Sequence, residues 1–314
     1  MTKVYIAGAI PEVGLNLLKE HFEVDMYDGE GLIDKETLKK GVEHADALVS
    51  LLSTSVDKDI IDSANNLKII ANYGAGFNNI DVEYARQQNI DVTNTPHAST
   101  NATADLTIGL ILSVARRIVE GDHLSRTTGF DGWAPLFFRG REVSGKTIGI
   151  IGLGEIGGAV AKRARAFDMD VLYTGPHRKE EKERDIGAKY VDLDTLLKNA
   201  DFITINAAYN PSLHHMIDTE QFNKMKSTAY LINAGRGPIV NEQALVEALD
   251  NKAIEGAAYE FEPEITDALK SFKNIVLTPH IGNATFEARD MMAKIVANDT
   301  IKKLNGDEPQ FIVN

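Results

Sequence analysis

The sequence predicts an α/β fold: parallel sheets covered by helices on both faces and divided into two domains. Three observations predict it. Short apolar runs alternate with longer segments of helical period along almost the whole chain. The strand-like runs are apolar throughout rather than alternating, as strands buried on both faces are. The length, 314 residues, suits two cores of ordinary size better than one. Strand and helix in strict succession imply right-handed crossovers.

Taken in order, the first strands are KVYIAGA, EVDMYD, DALVSLL, LKIIANYG and IDVTNT, separated by helical stretches such as PEVGLNLLKEHF and DKETLKKGVEHA. The run from Thr100 to Arg117, TNATADLTIGLILSVARR, breaks this rhythm. It has helical period but is more apolar than a surface helix, which suits a domain connector or a subunit interface. A second set follows: KTIGIIGLG, DVLYTG, DFITINAA, TAYLINAGR, IEGAAYEF and NIVLTPH, with spacers such as NEQALVEALDN. His214 and His215 read as the start of a surface helix. The final helical pattern, Thr285 to Leu304, comes after the second set is complete and is expected to return to the first domain. The domains are therefore expected to be discontinuous, 1–98 with 285–314 and 99–284. Hinges fall near Ala98 and Ala284, with a cleft between the domains.

Composition narrows the function classes. At 43% hydrophobic and 25% charged the chain is globular in type, and no apolar run approaches the ~20 residues that span a bilayer. The start, MTKVYIAG, enters strand-like sequence directly without a secretory signal, so cytoplasmic residence is expected. The absence of cysteine excludes disulfides, thiolate metal sites and a cysteine nucleophile, and no metal is expected. A net charge of −13 speaks against nucleic acid as a partner. It also means that an acidic substrate needs a local cation.

Gly152, Gly154 and Gly157 form G-x-G-x-x-G between a strand (Lys146 onward) and a helix (Ile156 to Phe167), the context that a dinucleotide turn requires. Gly152 allows the tight turn, Gly154 lets backbone approach a pyrophosphate, and Gly157 lets helix and strand pack closely. The helix start around Glu155 and Ile156 offers unpaired N–H groups to the phosphates. A site selective for NAD usually has an acid at the end of the next strand. Here that strand ends VLYTG and is followed by Pro176, His177, Arg178 and Lys179. Thr174, His177 and Arg178 are read as a 2′-phosphate pocket favouring NADP(H), with NAD as the alternative. Otherwise Arg178 and Lys179 merely open a solvated helix, RKEEKERD.

Reduction of a 2-oxo acid by a dinucleotide needs a cation for the carboxylate, a proton donor for the developing alkoxide and a group that keeps this donor charged. Three predicted strand ends offer Arg236 in NAGRG, Glu262 in EFEP and His280 in TPHIG. Parallel sheets gather their ligands at such ends. Singly, each has a bland reading as a turn arginine, a loop Glu-Pro or a structural histidine. In order, downstream of a dinucleotide turn, they point to one active site.

The segments NYGAGFNNID (72–81), TNTPHASTNATAD (93–105), GKTIGIIGLGEIG (145–157), MKSTAYLINAGRGPIVNEQAL (225–245) and NIVLTPHIGNAT (274–285) occur here in one order. In this the chain resembles the D-isomer specific 2-hydroxyacid dehydrogenase family along nearly its whole length. WAPLFFRG (133–140) resembles the glyoxylate and hydroxypyruvate reductase branch. The resemblance implies two Rossmann-like domains, one flavodoxin-like and substrate-binding, the other dinucleotide-binding, in a homodimer. It implies that Arg236 binds substrate carboxylate and keto oxygen, that His280 is the acid of reduction, and that Glu262 pairs with His280 and keeps it charged. Ser53, Ala75, Gly76 and Trp133 join Arg236 and His280 as substrate contacts. Trp133 is alternatively an interface anchor alone. Thr103, Ala207, Ala234, Arg236 and His280 join the glycine turn in holding the cofactor. Leu52, Thr54, Phe77 and Phe137 are further positions that shape the substrate pocket.

The chain departs from the family in three places. The acid after Tyr173 is missing, and AAYN (207–210) replaces a proline-containing loop. The third departure is the largest. The family pattern G-A-x-L-D-V-(F/Y)-E-x-E-P reads GAAYEFEP here, without L-D-V between Ala258 and Tyr259, and the absent aspartate is the family's nicotinamide carboxamide ligand. Because the spacing from Glu262 to His280 is kept, the more economical expectation is that the triplet exists in the protein. Ala258 and Tyr259 should then stand farther apart than one peptide link, with Glu262 in reach of His280. A continuous chain would instead imply a weakened or inactive enzyme. Other readings are an NAD-dependent dehydrogenase of a larger or branched acid, and a non-catalytic dinucleotide sensor.

Overall fold

In the computed structural model the described residues are 2–260 and 266–314. The chain forms two compact units, Met1–Ser99 with Ala284–Asn314, and Thr100–Asn283.

The first unit contains β1 (Lys3–Ile6), α1 (Glu12–His21), β2 (Glu23–Met26), α2 (Lys35–Val42), β3 (Ala47–Leu51), α3 (Lys58–Ser63), β4 (Ile69–Tyr73), α4 (Val82–Gln87) and β5 (Asp91–Thr93). Its described strands form one parallel sheet in the order β2-β1-β3-β4-β5, the doubly wound order of flavodoxin-like folds. Ile69, Ile70 and Ala71 of β4 are fully buried, which is why this strand is apolar on both faces. The closing helix α13 (Phe286–Asn305) starts on a Thr285 cap and packs on α1 and β4. Gly14 makes that contact possible, because a Cβ there would stand 2.6 Å from the Ala293 carbonyl oxygen.

The second unit begins with α5 (Thr100–Ala115) and α6 (Ile118–Arg126). It continues through β6 (Thr147–Ile151), α7 (Glu155–Ala166), β7 (Asp170–Thr174), α8 (Glu180–Ile186), β8 (Ala188–Tyr190), α9 (Leu193–Asn199) and β9 (Phe202–Ile205). It ends with α10 (Thr219–Lys224), β10 (Tyr230–Asn233), α11 (Glu242–Asp250), β11 (Gly256–Glu260), α12 (Asp267–Lys270) and β12 (Ile275–Thr278). The described strands form a parallel sheet in the order β12-β11-β10-β9-β6-β7-β8, the Rossmann winding. The short β8 escaped the sequence reading because its three residues, Ala188, Lys189 and Tyr190, carry no periodicity.

Two expectations change. The apolar helix α5 needs no partner chain to cover it: Ala104, Leu110, Ile111 and Val114 are buried in this unit's own core, against α7 and β10–β12. It stops at Arg117, which turns left-handed at φ 55°. His214 and His215 do not start a helix. They follow a single 3-10 turn, Pro211–Leu213, with their rings stacked 3.9 Å apart, and His215 lies at φ 51°. The helix begins instead at Thr219, where Asp218 and Gln221 complete a capping box.

Candidate active site

The second sheet reverses its winding between β6 and β9, and parallel sheets bind ligands at strand carboxyl ends beside such a reversal. β6 runs into Gly152 at φ 97°, a conformation that suits glycine. A Cβ there would lie 2.9 Å from the backbone N and Cα of Ala207, just beyond β9. A Cβ on Gly157 would overlap the Gly152 carbonyl, so α7 lies tight against the turn. Gly154 differs: it is the N-cap of α7 without a side-chain cap, and a Cβ on it would meet nothing within 4 Å. An uncapped helix start therefore opens on space beside an exposed glycine backbone, which fits a pyrophosphate. Ile156 faces the core, while Glu155 accepts a 2.8 Å hydrogen bond from Lys182 of α8. The same Lys182 ammonium donates to the Gly154 carbonyl at 3.0 Å. Nothing in the sequence marks Lys182, because only the folding of α8 over α7 brings it to the turn.

At the end of β7, Thr174 has no carboxylate beside it, and His177 and Arg178 are exposed. Arg178 is not a bare cation. Its Nε and Nη2 each donate to Glu183 at 2.8 Å, and the Tyr173 hydroxyl donates to the same carboxylate at 2.6 Å. The guanidinium, then the phenol, hold the Glu183 carboxyl at about 2. Burial, with Glu183 as acceptor, pushes the Tyr173 phenol up to about 12. Glu183 thus fixes where the Arg178 fork points.

The remaining groups stand at the ends of β10, β11 and β12. After β10, the buried Asn233 ties the turn together: its Oδ1 accepts from Gly235 N at 3.1 Å and its Nδ2 donates to the Arg236 carbonyl at 3.1 Å. Buried Ala234 precedes it. Arg236 itself is extended and half-buried, and among the described residues it makes no ion pair. His280 follows β12 with φ 48°, a strained conformation for a side-chain-bearing residue, fixed by its N–H on the Thr278 carbonyl at 3.0 Å. Thr103, buried on α5, donates to the Gly282 carbonyl at 3.1 Å and so holds the loop after His280.

The expected break in β11 is absent. Ala258 pairs with Ile232 and Val276, and Tyr259 with Asn233 and Leu277, so the strand runs unbroken between two parallel neighbours. Glu262 lies outside the described residues, so its proximity to His280 is not described. The carboxylate found at the strand end is Glu260, which the sequence reading passed over. It is buried, and burial pushes its carboxyl up, while His280, the Gly282 and Ile281 backbone N–H groups and Arg236 act in the opposite direction. Arg236 and His280 thus both act electrostatically on Glu260. Its only sequence signal was its place in GAAYE, whose meaning depended on the register.

In the first unit, Ser53 is exposed after β3, and Thr54 is buried with its Oγ1 accepting from Leu51 N at 3.3 Å. Ala75 and Gly76 follow β4, and asparagines fix their loop: Asn94 Nδ2 donates to the Ala75 carbonyl and Asn72 Nδ2 to that of Gly76, each at 2.7 Å. A Cβ on Gly74 would overlap the Leu52 side chain, and Phe77 is exposed. In the second unit, Trp133 is 86% exposed, and Phe130, Leu136 and Phe137, near it in sequence, are exposed too. Phe130 and Phe137 stack at 6.0 Å.

Comparison with known proteins agrees with this architecture. The NAD-binding domain of D-isomer specific 2-hydroxyacid dehydrogenases matches residues 108–282. A Staphylococcus epidermidis protein provisionally named a 2-hydroxyacid dehydrogenase is 98% identical with 100% of both chains covered. That alignment is 317 positions long, three more than this chain has residues. A crystal structure of a Thermus thermophilus protein is 36% identical with TM-score 0.95, covering 100% of both chains. An NADPH-dependent glyoxylate/hydroxypyruvate reductase from Sinorhizobium meliloti is 28% identical with TM-score 0.86, covering 100% of this chain and 97% of its own. A domain match over more than half the chain, with relatives alike from end to end, leaves one conclusion: the chain belongs to the D-isomer specific 2-hydroxyacid dehydrogenase family, whose members are oxidoreductases.

Proposed function

We propose that this dehydrogenase reduces a small 2-oxo acid, glyoxylate or hydroxypyruvate, to the D-2-hydroxy acid with NADPH. The observation that carries the reading is that Arg236 and His280 follow neighbouring strand ends, β10 and β12, on either side of the buried Glu260 of β11, in the sheet whose first strand ends in the glycine turn. When bound, the cofactor supplies a hydride to the keto carbon. The turn Gly152–Gly157 and the start of α7 hold its pyrophosphate. Arg236 grips the substrate carboxylate and keto oxygen with its planar fork and stabilises the charge that develops on that oxygen. His280 gives the oxygen its proton, so the carbonyl becomes CH–OH and the ring returns to neutral. Ser53, Ala75, Gly76 and Trp133 are assigned to the substrate on the family resemblance alone. With no cysteine to cross-link, the chain suits a reducing compartment, and we assign it to the cytoplasm.

Support for NADPH comes from the bare end of β7, from Arg178, whose Nη1 makes no hydrogen bond among the described residues, and from the NADPH dependence of the Sinorhizobium relative. The test is a steady-state panel of 2-oxo acids against NADH and NADPH. Glyoxylate-dependent NADPH oxidation is expected, and a chain that oxidises neither cofactor with any acid sinks the proposal. The unbroken, shortened β11 favours one second reading, a dinucleotide-binding protein with little turnover. In the same panel it would bind NADPH and oxidise none.

A further inference from the structure

We propose that Asn72, Asn79 and Asn94 are positioning residues for the substrate carboxylate, because they hold the loop after β4 in a form that leaves a row of N–H groups free. This role rests on the assignment of Ala75 and Gly76 to the substrate. The hydrogen bonds of the loop are one-sided. Gly74 O accepts from Thr95 N at 2.9 Å and Phe77 O from Ile80 N at 3.1 Å. Between them, Ala75 O accepts from Asn94 Nδ2 and Gly76 O from Asn72 Nδ2, each at 2.7 Å. The N–H groups of Ala75, Gly76, Phe77 and Asn78 donate to no acceptor among the described residues. Backbone donors and acceptors are normally both paired, so successive free N–H groups beside paired carbonyls leave an excess of positive dipole ends, which suits an anion. Ala75, Phe77 and Asn78 are exposed and Gly76 is half-buried, so the row is open to a ligand. From Ile69 to Ala85 there is no Lys, Arg or His, so backbone dipoles are what this stretch offers a carboxylate.

Side-chain amides build this arrangement. Asn72 is fully buried, and its Oδ1 accepts from Ser50 Oγ at 3.1 Å and from Asn79 Nδ2 at 3.3 Å. With its oxygen so engaged, the amide turns Nδ2 to the Gly76 carbonyl. Asn79 Nδ2 also donates to the Leu51 and Thr54 carbonyls at 3.1 and 2.9 Å, which ties this loop to the one that carries Ser53. Asn94 is anchored in turn, its N–H on the Phe311 carbonyl at 3.2 Å. Each contact to a loop carbonyl needs a short, uncharged donor. Asn72→Asp would set a carboxylate oxygen against the Gly76 carbonyl, and Asn94→Ala would release the Ala75 carbonyl.

The test titrates oxamate, an unreactive analogue of a 2-oxo acid, into 15N-labelled protein saturated with NADPH. The proteins are wild type, Asn72→Asp, Asn94→Ala and the control Asn65→Ala, which loses the same kind of bond, to the Glu43 carbonyl. Oxamate should shift the N–H resonances of Ala75 to Asn78 in wild type and in Asn65→Ala. Its dissociation constant should rise roughly 5- to 10-fold in Asn94→Ala, the scale of one weakened hydrogen bond, and further in Asn72→Asp. In glyoxylate kinetics Asn94→Ala should raise KM by the same factor with kcat within about twofold, as a loss of uniform binding does. Its melting temperature should stay within about 4 °C of wild type, so the exposed variant decides the matter even if the buried one fails to fold. The proposal is overturned if oxamate leaves these resonances unmoved in wild type, or if Asn94→Ala binds it as tightly as Asn65→Ala. Should oxamate shift them while wild type turns over no 2-oxo acid, the proposed activity fails alone and the role of the asparagines stands.

Discussion

At the scale of single residues, function depends on cations held where an acidic chain would otherwise repel its substrate. Arg236 is half-buried on a turn that Asn233 ties down, and among the described residues its fork is not spent on a carboxylate. Arg236→Ala is expected to lower kcat/KM for the 2-oxo acid by at least about a hundredfold, the scale of losing a fixed transition-state partner. NADPH binding, followed by fluorescence, should barely change. Near-normal kinetics would remove Arg236 from the site. Arg178 poses a different problem, because Glu183 holds it. Preference for NADPH should be removed or reversed by Arg178→Ala with Gly175→Asp, which puts an acid at the end of β7 for a ribose 2′-hydroxyl. The new side chain has room, since a Cβ on Gly175 meets nothing within 4 Å. Preference for NADH in the unaltered enzyme would overturn the pocket assignment.

At the scale of elements, the β6–α7 turn separates glycines needed for folding from glycines needed for binding. Gly157→Ala drives a methyl into the Gly152 carbonyl and should cost roughly 1–3 kcal/mol in urea unfolding, as overpacking does. Gly154→Ala meets no protein atom, so it should unfold like wild type yet bind NADPH more weakly, because the methyl occupies the pyrophosphate's space. Equal losses of stability in both variants would mean that the turn is structural only. β11 supplies the second test. The three-residue difference from the Staphylococcus epidermidis relative equals the triplet missing after Ala258. Inserting Leu-Asp-Val between Ala258 and Tyr259 should raise kcat/KM for glyoxylate, and a lower value would show that the short strand is no handicap.

For the whole molecule, α5 exposes no large apolar side chain, whereas the segment after it exposes Ile118, Val119, Phe130, Trp133, Leu136 and Phe137. Exposed apolar side chains so close in sequence point to an interface, and a second copy of the chain is the occupant the family resemblance implies. Sedimentation should show a dimer for the native chain and a monomer with unchanged circular dichroism for Trp133→Glu with Leu136→Glu. A native monomer would end the dimer assignment and leave Trp133 without its second role.

What the sequence determined by itself was whatever depends on local period and local chemistry. Apolar runs gave both sheets their described strands except β8, and the glycine spacing located the nucleotide turn, because φ 97° and a helix packed on a carbonyl are requirements of single residues. The places of Arg236 and His280 after β10 and β12 were legible for the same reason: each follows a recognisable strand. Tertiary structure decided the rest. Whether α5 faced a partner or its own sheet depended on what covered it, and its apolar character fits either case. That Glu183 holds Arg178, and that Lys182 reaches Gly154, follows only from α8 folding back over α7. Above all, the register of β11 between β10 and β12 places Glu260 opposite Thr278 at the buried end of the strand, because a strand's faces are assigned by its neighbours and not by the letters along it.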